Sequence, residues 1–123
     1  MDIPATRALG DYGERLACRH LREQGFTILE RNWRCARGEI DIVAADGDCL
    51  VVCEVKTRSS DGFGAPFEAV TWRKARRLRR LAGLWIEAHQ EQAAGLGDLR
   101  IDVVSILKPP AAPAALEHLR GVE

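Results

Sequence analysis

The segment Gly38–Arg58 constrains this chain most, because two apolar runs flank a dipeptide that favours a tight turn. The segment reads GEIDIVAADGDCLVVCEVKTR. Asp46-Gly47 is typical of a two-residue β-hairpin turn, since glycine readily adopts positive φ. We therefore predict that Glu39–Ala44 and Cys49–Lys56 form two paired antiparallel strands.

The turn also decides which side chains share a face of the hairpin. With Asp46 and Gly47 in the turn, Asp41 faces Val52 and Glu39 faces Glu54. Side chains alternate along each strand, and directly opposed residues point to the same side. The predicted acidic face carries Glu39, Asp41, Glu54 and Lys56, and the predicted core face carries Ile40, Ile42, Ala44, Val51, Cys53 and Val55.

The acidic face favours a cation, because like charges on facing strands cost stability. Mg²⁺ takes one or two carboxylates, keeps several waters and accepts phosphate oxygens. Asp41 and Glu54 are diagonal neighbours in this register, and Lys56 lies on the same face, where it could meet a phosphate or a water. The residues alone leave two interpretations open, a metal site and a half-solvated hairpin with ordinary surface charges.

Asp41 followed by Glu54-Val55-Lys56 resembles the D…(D/E)xK signature of the PD-(D/E)XK nuclease superfamily. D…ExK alone is a weak pattern, but a set of longer words in the same order is specific. These words resemble the YraN family of small bacterial proteins, which is related to archaeal Holliday junction resolvases. They are GERLACRHLREQGFTILERNWR, GEIDIVA, LVVCEVKTRSS, EAVTWRKARRLRRLA and RIDVVSI.

The resemblance implies a metal-dependent endonuclease of DNA. Asp41 and Glu54 would bind Mg²⁺ or Mn²⁺ together with the Val55 carbonyl, and Lys56 would be catalytic. Glu14, in the word GERLA, matches a helix-one glutamate that points at the metal site, so the resemblance implies a catalytic Glu14 that binds a second ion or a metal-bound water. From the residues alone it is a first-turn acid favoured by the helix dipole. Branched or junction DNA as substrate, and a homodimer, follow only by analogy. Glu39 matches no catalytic position.

The remaining pattern predicts a single α/β domain with a restriction-endonuclease-like core over residues 9–107. A three-stranded antiparallel meander is followed by a crossover helix and a fourth strand, parallel to the third because such crossovers are right-handed. Two helices flank the sheet. The predicted bounds are Leu9 or Asp11 to Gln24, Phe26–Arg34, Thr71–His89 and Leu99–Leu107, with residues 1–8 frayed, 57–66 and 90–97 as loops, and Leu116–Leu119 as an edge strand or a loose tail.

The second helix carries a dense positive run in a chain of zero net charge, with six basic residues in eight positions and no acid. Solvated helix faces usually mix signs, so the run predicts a polyanion partner. The resemblance implies that this partner is DNA, and an acidic protein is the alternative. Arg31, Arg34 and Arg37 are either solvated charges or further phosphate contacts. The predicted nucleic-acid contacts are Arg73, Lys74, Arg76, Arg77, Arg79 and Arg80, together with Arg58.

Other features narrow the class of protein. The N-terminus lacks a signal peptide and no run is long enough to span a membrane, so we expect a cytoplasmic protein without a membrane partner. The four cysteines have no zinc-site spacing. We interpret Asp102 as structural and His20 as core or surface. Three function classes remain: a nuclease, a nucleic-acid-binding module that does not cut, and a small protein-interaction module.

Overall fold

One five-stranded sheet with helices on both faces forms the protein, in a computed structural model that describes residues 5–59 and 72–122. The strand order is β1-β2-β3-β4-β5, and only β3 and β4 run parallel. This confirms the predicted α/β class. The elements are α1 (Ala5–Glu23), β1 (Thr27–Cys35), β2 (Gly38–Asp46), β3 (Cys49–Arg58), α2 (Trp72–Ala88), α3 (Gln90–Ala93), β4 (Asp98–Leu107) and β5 (Ala115–Leu119).

Both faces of the sheet are core. On the α1 side, Ala17 and Leu21 pack against residues such as Ile42 and Cys53. The α2 side buries Val43, Leu50, Val52 and Ile101 beneath Leu78, Leu81, Ala82 and Trp85. Three layers of this kind bury the apolar stripe of each helix. Within the described part of the chain, no helix is long and apolar enough to cross a membrane.

The hairpin turn lies one residue later than predicted. Asp46 pairs with Cys49, so the turn residues are Gly47 and Asp48. Gly47 has a φ of 61° and Asp48 does not have a positive φ. A two-residue hairpin turn in which only the first turn residue has a positive φ, and that residue is glycine, is of type II′.

The predicted facing pairs were therefore wrong, because the register moves by two residues. Val52 pairs with Val43 rather than with Asp41, and Ile42 pairs with Cys53. Continuing this register places Asp41 opposite Glu54. A shift of two residues leaves every side chain on its own face, whereas a shift of one would reverse them.

The predicted face of Ile40 was also wrong. Ile40 lies in the α2-side core, while Ile42 lies in the α1-side core. Residues two apart on a regular strand share a face, so the alternation is interrupted at Asp41. On the neighbouring strand, Asn32 has a φ of 53°, in the left-handed region, next to Trp33, which pairs with Ile40.

Several element bounds differ from those predicted. Helix α1 begins at Ala5 rather than at Leu9 or Asp11. Strand β3 continues through Thr57 to Arg58, which were expected in a loop, because both pair with β4. The short α3 lies within the predicted loop 90–97, and the C-terminal segment forms the edge strand β5. Residues 60–66 of the loop predicted over 57–66, and the predicted helix start at Thr71, lie outside the described residues.

Asp102 is fully buried at the centre of a charged cluster that joins four elements. Arg100 donates two hydrogen bonds to its carboxylate, at 2.8 and 3.0 Å, and His118 Nε2 donates another at 2.8 Å. His118 Nδ1 in turn is hydrogen-bonded to His20 of α1 at 3.0 Å. Arg100 also reaches Asp46 at 3.1 Å. These contacts agree with a structural role for Asp102 and with a non-catalytic His20.

Candidate active site

The predicted site residues Asp41 and Glu54 lie just beyond the point where the main chains of β2 and β3 stop pairing. There the Val55 N–H donates a hydrogen bond of 2.9 Å to the side-chain oxygen Oδ2 of Asp41 instead of to a main-chain carbonyl. Val55 packs towards the α1-side core, so its neighbours Glu54 and Lys56 point to the α2 side. The interruption of the strand at Asp41 thus turns a carboxylate towards the main chain of β3.

The surroundings of Asp41 oppose its negative charge. Burial, and then the charge of Glu54, raise the pKa of Asp41 from 3.8 to about 7. Glu14 and Glu39 add further negative charge, and the Val55 hydrogen bond only partly offsets these effects. A carboxyl group whose pKa is raised by burial and by a neighbouring acid is typical of functional sites.

Two lysines contact the same oxygen of Glu54. Lys56 Nζ lies 3.8 Å from Glu54 Oε1, and Lys74 Nζ, which comes from α2, lies 3.2 Å from it. Contact with Lys74, and then burial, lower the pKa of Lys56. Burial also lowers the pKa of Lys74, but the contact with Lys56 and the charge of Glu54 outweigh it, so the net shift is upward.

Lys74 therefore belongs to the acidic site as well as to the basic helix. Sequence reasoning placed it with the phosphate contacts, because its neighbours along the chain are arginines. The helical period could have indicated this position, because Lys74 lies one and four residues before Ala75 and Leu78, which are both buried. Its side chain therefore leaves the helix at the edge of the packed face, above β3.

Glu14 approaches the site from the opposite side of the sheet. Its side chain is only 13% exposed, and Oε1 has no hydrogen-bond partner, although Arg31 Nη2 lies 3.8 Å away. Burial raises the pKa of Glu14. The neighbouring Gly13 permits this approach, because a Cβ there would overlap the hydroxyl of Thr57 on β3.

The donor chemistry fits a hard cation such as Mg²⁺ or Mn²⁺. Asp41 and Glu54 are two carboxylates. Burial, and then the charge of Glu54, raise the pKa of Asp41, and a cation between the two groups would offset both effects. Within residues 5–59 and 72–122, no three acidic, histidine or cysteine side chains form a ready-made metal-binding group. A site of this type would thus rely on two carboxylates with waters, and Glu14 as a direct ligand stays a prediction.

The basic run of α2 is divided by the fold. Lys74 faces Glu54, Arg79 is half-buried, and Arg58 is half-buried on β3. The remaining arginines are exposed and line adjoining depressions, one of about 250 Å³ beside Trp72 and one of about 610 Å³ that Arg37 also lines. The exposed arginines of α2 are Arg73, Arg76, Arg77 and Arg80.

The arginines of the β1–β2 region have separate surroundings. Arg31 approaches Glu14, and Arg34 forms an ion pair of 3.2 Å with Glu39. Arg37 lines the same depression as Arg77 and Arg80. The structure therefore extends the basic surface of α2 to Arg37, whereas Arg31 and Arg34 each have an acidic neighbour.

Comparison with known proteins places these residues in a family. The model of the "Uncharacterised protein family UPF0102" matches residues 13–106, which include Glu14, the acidic hairpin and α2. A UPF0102 protein of Streptomyces coelicolor is 57% identical over 122 residues, covering 98% of this chain and 92% of the relative. One from Nocardioides sp. is 55% identical over 116 residues, covering 94% and 91%. The chain therefore belongs to the UPF0102 family, the YraN group that is related to the PD-(D/E)XK nucleases.

Proposed function

We propose that this protein is a metal-dependent endonuclease that hydrolyses phosphodiester bonds of DNA. The observation that carries the proposal is the meeting of Asp41, Glu54 and Lys56 where β2 and β3 cease to pair, with the pKa of Asp41 raised to about 7. An acid pair of this kind costs stability in the metal-free protein, so its presence calls for a ligand that compensates it. The family relationship supports the same reaction class.

Asp41 and Glu54, with the Val55 carbonyl, would hold the cation. When bound, Mg²⁺ would lower the pKa of the attacking water and offset negative charge on the phosphate. Glu14 would accept a hydrogen bond from water at this site, because its buried Oε1 lacks a partner.

The two lysines would act on the phosphate and on the attacking water. Lys56 and Lys74 both approach Glu54 Oε1, so both ammonium groups are already in place before substrate binds. Preorganised donors stabilise charge that develops in the transition state without further reorganisation. Lys56, whose pKa is lowered by Lys74, would orient the water, and Lys74 would contact the phosphate.

The exposed arginines of α2 would hold the DNA backbone. Contacts with phosphates fix the position and direction of a strand but do not read its sequence. The dense positive charge on one helix, next to the acidic site, suits this role. We therefore expect cleavage without strong sequence preference.

The test is a nicking assay on supercoiled DNA and on a four-way junction, with Mg²⁺ or Mn²⁺ and with EDTA. The variants are Asp41→Asn, Glu54→Gln and Lys56→Ala. Glu117→Gln is the matched control, since Glu117 is an exposed acid on β5. We expect metal-dependent product from the wild type and from the control, and none from the three site variants.

Other outcomes separate the competing classes. Metal-independent product that survives Asp41→Asn would rule out this site as the source of cleavage. DNA binding without product under any metal condition would indicate a nucleic-acid-binding module that retains the nuclease fold. Absence of both binding and product would favour a protein-interaction module with an acidic partner.

A further inference from the structure

Trp72, the first residue of α2, has an unusual position for a large apolar side chain. It is 60% exposed, and among the residues that the structure describes it is the only exposed large hydrophobic side chain. The other two tryptophans both pack in the α2-side core, Trp85 fully buried and Trp33 in part. Packing within the described part of the chain therefore does not explain why a tryptophan occupies this position.

The surroundings of Trp72 are cationic. The guanidinium carbons of Arg73 and Arg76 lie 5.9 and 5.4 Å from the ring centroid, within the range of a cation–π contact. Arg77 and Arg80 join them around a depression of about 250 Å³, and none of the described residues that line it is acidic. This volume is smaller than that of sites for drug-sized ligands and suits a single planar group attached to an anion.

A nucleotide has this combination of groups. Its phosphate matches the arginines, and the face of its base matches the indole. Aromatic side chains in basic grooves stack on bases regardless of sequence, because every base has a π-face. In a continuous duplex these faces are covered by neighbouring base pairs, so only an unpaired base can stack on a protein side chain.

The position of Trp72 also relates it to the acidic site. Lys74, two residues along α2, contacts Glu54 at 3.2 Å. Two residues correspond to about 3 Å along a helix axis but to roughly 200° around it, so Trp72 and Lys74 leave α2 on different sides. A strand whose phosphates follow the exposed arginines would therefore bring its bases to Trp72 outside the acidic site.

We propose that Trp72 stacks on an unpaired base and thereby directs this protein to DNA with single-stranded or branched segments rather than to continuous duplex. The proposal rests on the proposed function for its substrate, DNA. It adds a specificity-determining residue that lies outside the acidic site. An exposed tryptophan can also anchor a protein–protein contact, and the test includes that outcome.

The test measures binding in EDTA, so that no cleavage occurs. Three labelled ligands are used: a single-stranded oligodeoxynucleotide, a strand of equal length built from abasic sites, and a blunt duplex. The abasic strand keeps the phosphates and lacks the bases. The proteins are the wild type, Trp72→Ala, Trp72→Phe and the charge control Arg73→Ala.

We expect Trp72→Ala to weaken binding of the single strand roughly 5- to 150-fold, the range for loss of one stacked base. Binding of the abasic strand and of the duplex should change by less than about twofold. Trp72→Phe should restore most of the affinity, since an aromatic ring remains. Arg73→Ala should weaken binding of all three ligands, because it removes a cation that attracts phosphate.

Fluorescence gives an independent readout. The single strand should quench wild-type emission more than the abasic strand does, and this difference should vanish in Trp72→Phe. Equally reduced affinity of Trp72→Ala for all three ligands, or unchanged affinity for the single strand, would overturn the inference. So would conversion of an oligomer to a monomer by Trp72→Ala in sedimentation, since Trp72 would then be an interface residue. Metal-dependent nicking by the wild type would keep the proposed function intact in either case.

Discussion

At the scale of single residues, Asp41 occupies surroundings that favour its protonated form. Its pKa rises from 3.8 to about 7, first because of burial and then because of Glu54. The folded state therefore binds a proton more tightly than the unfolded state does. The stabilising contribution of the protonated group is complete below about pH 4 and is lost as the pH rises through about 7.

The first prediction follows from this sign. Between about pH 4 and 7 the metal-free wild type should lose stability relative to Asp41→Asn as the pH rises, at no more than roughly 1.4 kcal/mol per pH unit. The measurement is urea unfolding of both proteins across this range in EDTA. Parallel pH profiles would show that Asp41 titrates normally and that its surroundings do not oppose its charge.

The second prediction concerns metal binding by Asp41 and Glu54. An ion that binds only the folded state stabilises it by about 1.4 kcal/mol at ten times its Kd. Thermal unfolding of the wild type should shift upward with Mg²⁺ or Mn²⁺, whereas Asp41→Asn and Glu54→Gln should not respond. Without metal, Asp41→Asn should be at least as stable as the wild type, because it removes a repulsive charge. Glu54→Gln also removes the partner of Lys56 and Lys74, so it is compared only for its response to metal.

Sodium chloride at equal ionic strength is the control for the second prediction, because screening alone can raise stability slightly. Equal shifts of wild type and variants with Mg²⁺ would mean that these acids do not form a metal site. Clear destabilisation of metal-free Asp41→Asn would instead mark Asp41 as structural.

At the scale of elements, the close approach of α1 to β3 positions Glu14 beside the acids of the hairpin. Gly13 lies against Thr57 without space for a Cβ, whereas nothing lies within 4 Å of the Cβ position at Gly83 in α2. Both glycines are within helices. They form a matched pair in which only the packing differs.

The third prediction uses this pair. Gly13→Ala should destabilise the protein by about 1–3 kcal/mol, the typical cost of overpacking, because α1 must move away from β3. Gly83→Ala should stabilise it by about 0.5–1 kcal/mol, since alanine has the higher helix propensity. Denaturant unfolding measures both. A stabilising Gly13→Ala would show that α1 does not pack closely on β3.

The fourth prediction concerns the exposed basic surface of α2. Replacing Arg73, Arg76, Arg77 and Arg80 by alanine should weaken DNA affinity on unrelated sequences. For each arginine that neutralises a phosphate, its replacement should flatten the slope of log K against log salt concentration by about 0.9 for duplex DNA. The charge-matched control replaces four exposed arginines of α1, namely Arg7, Arg15, Arg19 and Arg22.

Fluorescence anisotropy at several salt concentrations measures the affinity and the slope together. The control variant has the same net charge as the α2 variant, so a nonspecific effect of charge would appear in both. If the two variants bind alike, the DNA-binding surface is elsewhere.

At the scale of the whole molecule, the Asp102 cluster joins parts of the chain that are far apart in sequence. It links β4 to the edge strand β5 through His118, to α1 through His20, and to the end of β2 through Arg100 and Asp46. Burial alone would raise the pKa of Asp102, but hydrogen bonds from His118, Arg100 and Gly121 lower it to about 2.

The fifth prediction is that Asp102→Ala destabilises the protein by about 3–5 kcal/mol, because it leaves buried cationic and polar groups unpaired. The contribution of Asp102 is present above about pH 4 and is lost as the pH falls through about 2. Unfolding by urea at several pH values measures it. Asp98→Ala, which removes an exposed acid at the start of β4, should have little effect, and an equally mild Asp102→Ala would refute the structural role.

The hairpin and its acidic residues could be predicted from sequence because the features that define them are local. Alternation has a period of two, so the side of Glu54, Val55 and Lys56 follows from neighbours along the strand. An error of two residues in register left those sides unchanged. The parallel β4 was also predictable, since a helix between two strands carries the chain back to the end of the sheet where the first strand began.

Long-range packing decided the rest. Lys74 joins Glu54 because α2 packs across β3, and the basic run around it conceals this in the sequence. The reversed face of Ile40 lies on β2 beside Trp33 of β1, which follows Asn32 with its left-handed φ of 53°, so it occurs where two strands pair. The raised pKa of Asp41 and the unpaired oxygen of Glu14 arise from burial between layers. Such effects depend on which distant groups exclude water from a site, and no local periodicity encodes that.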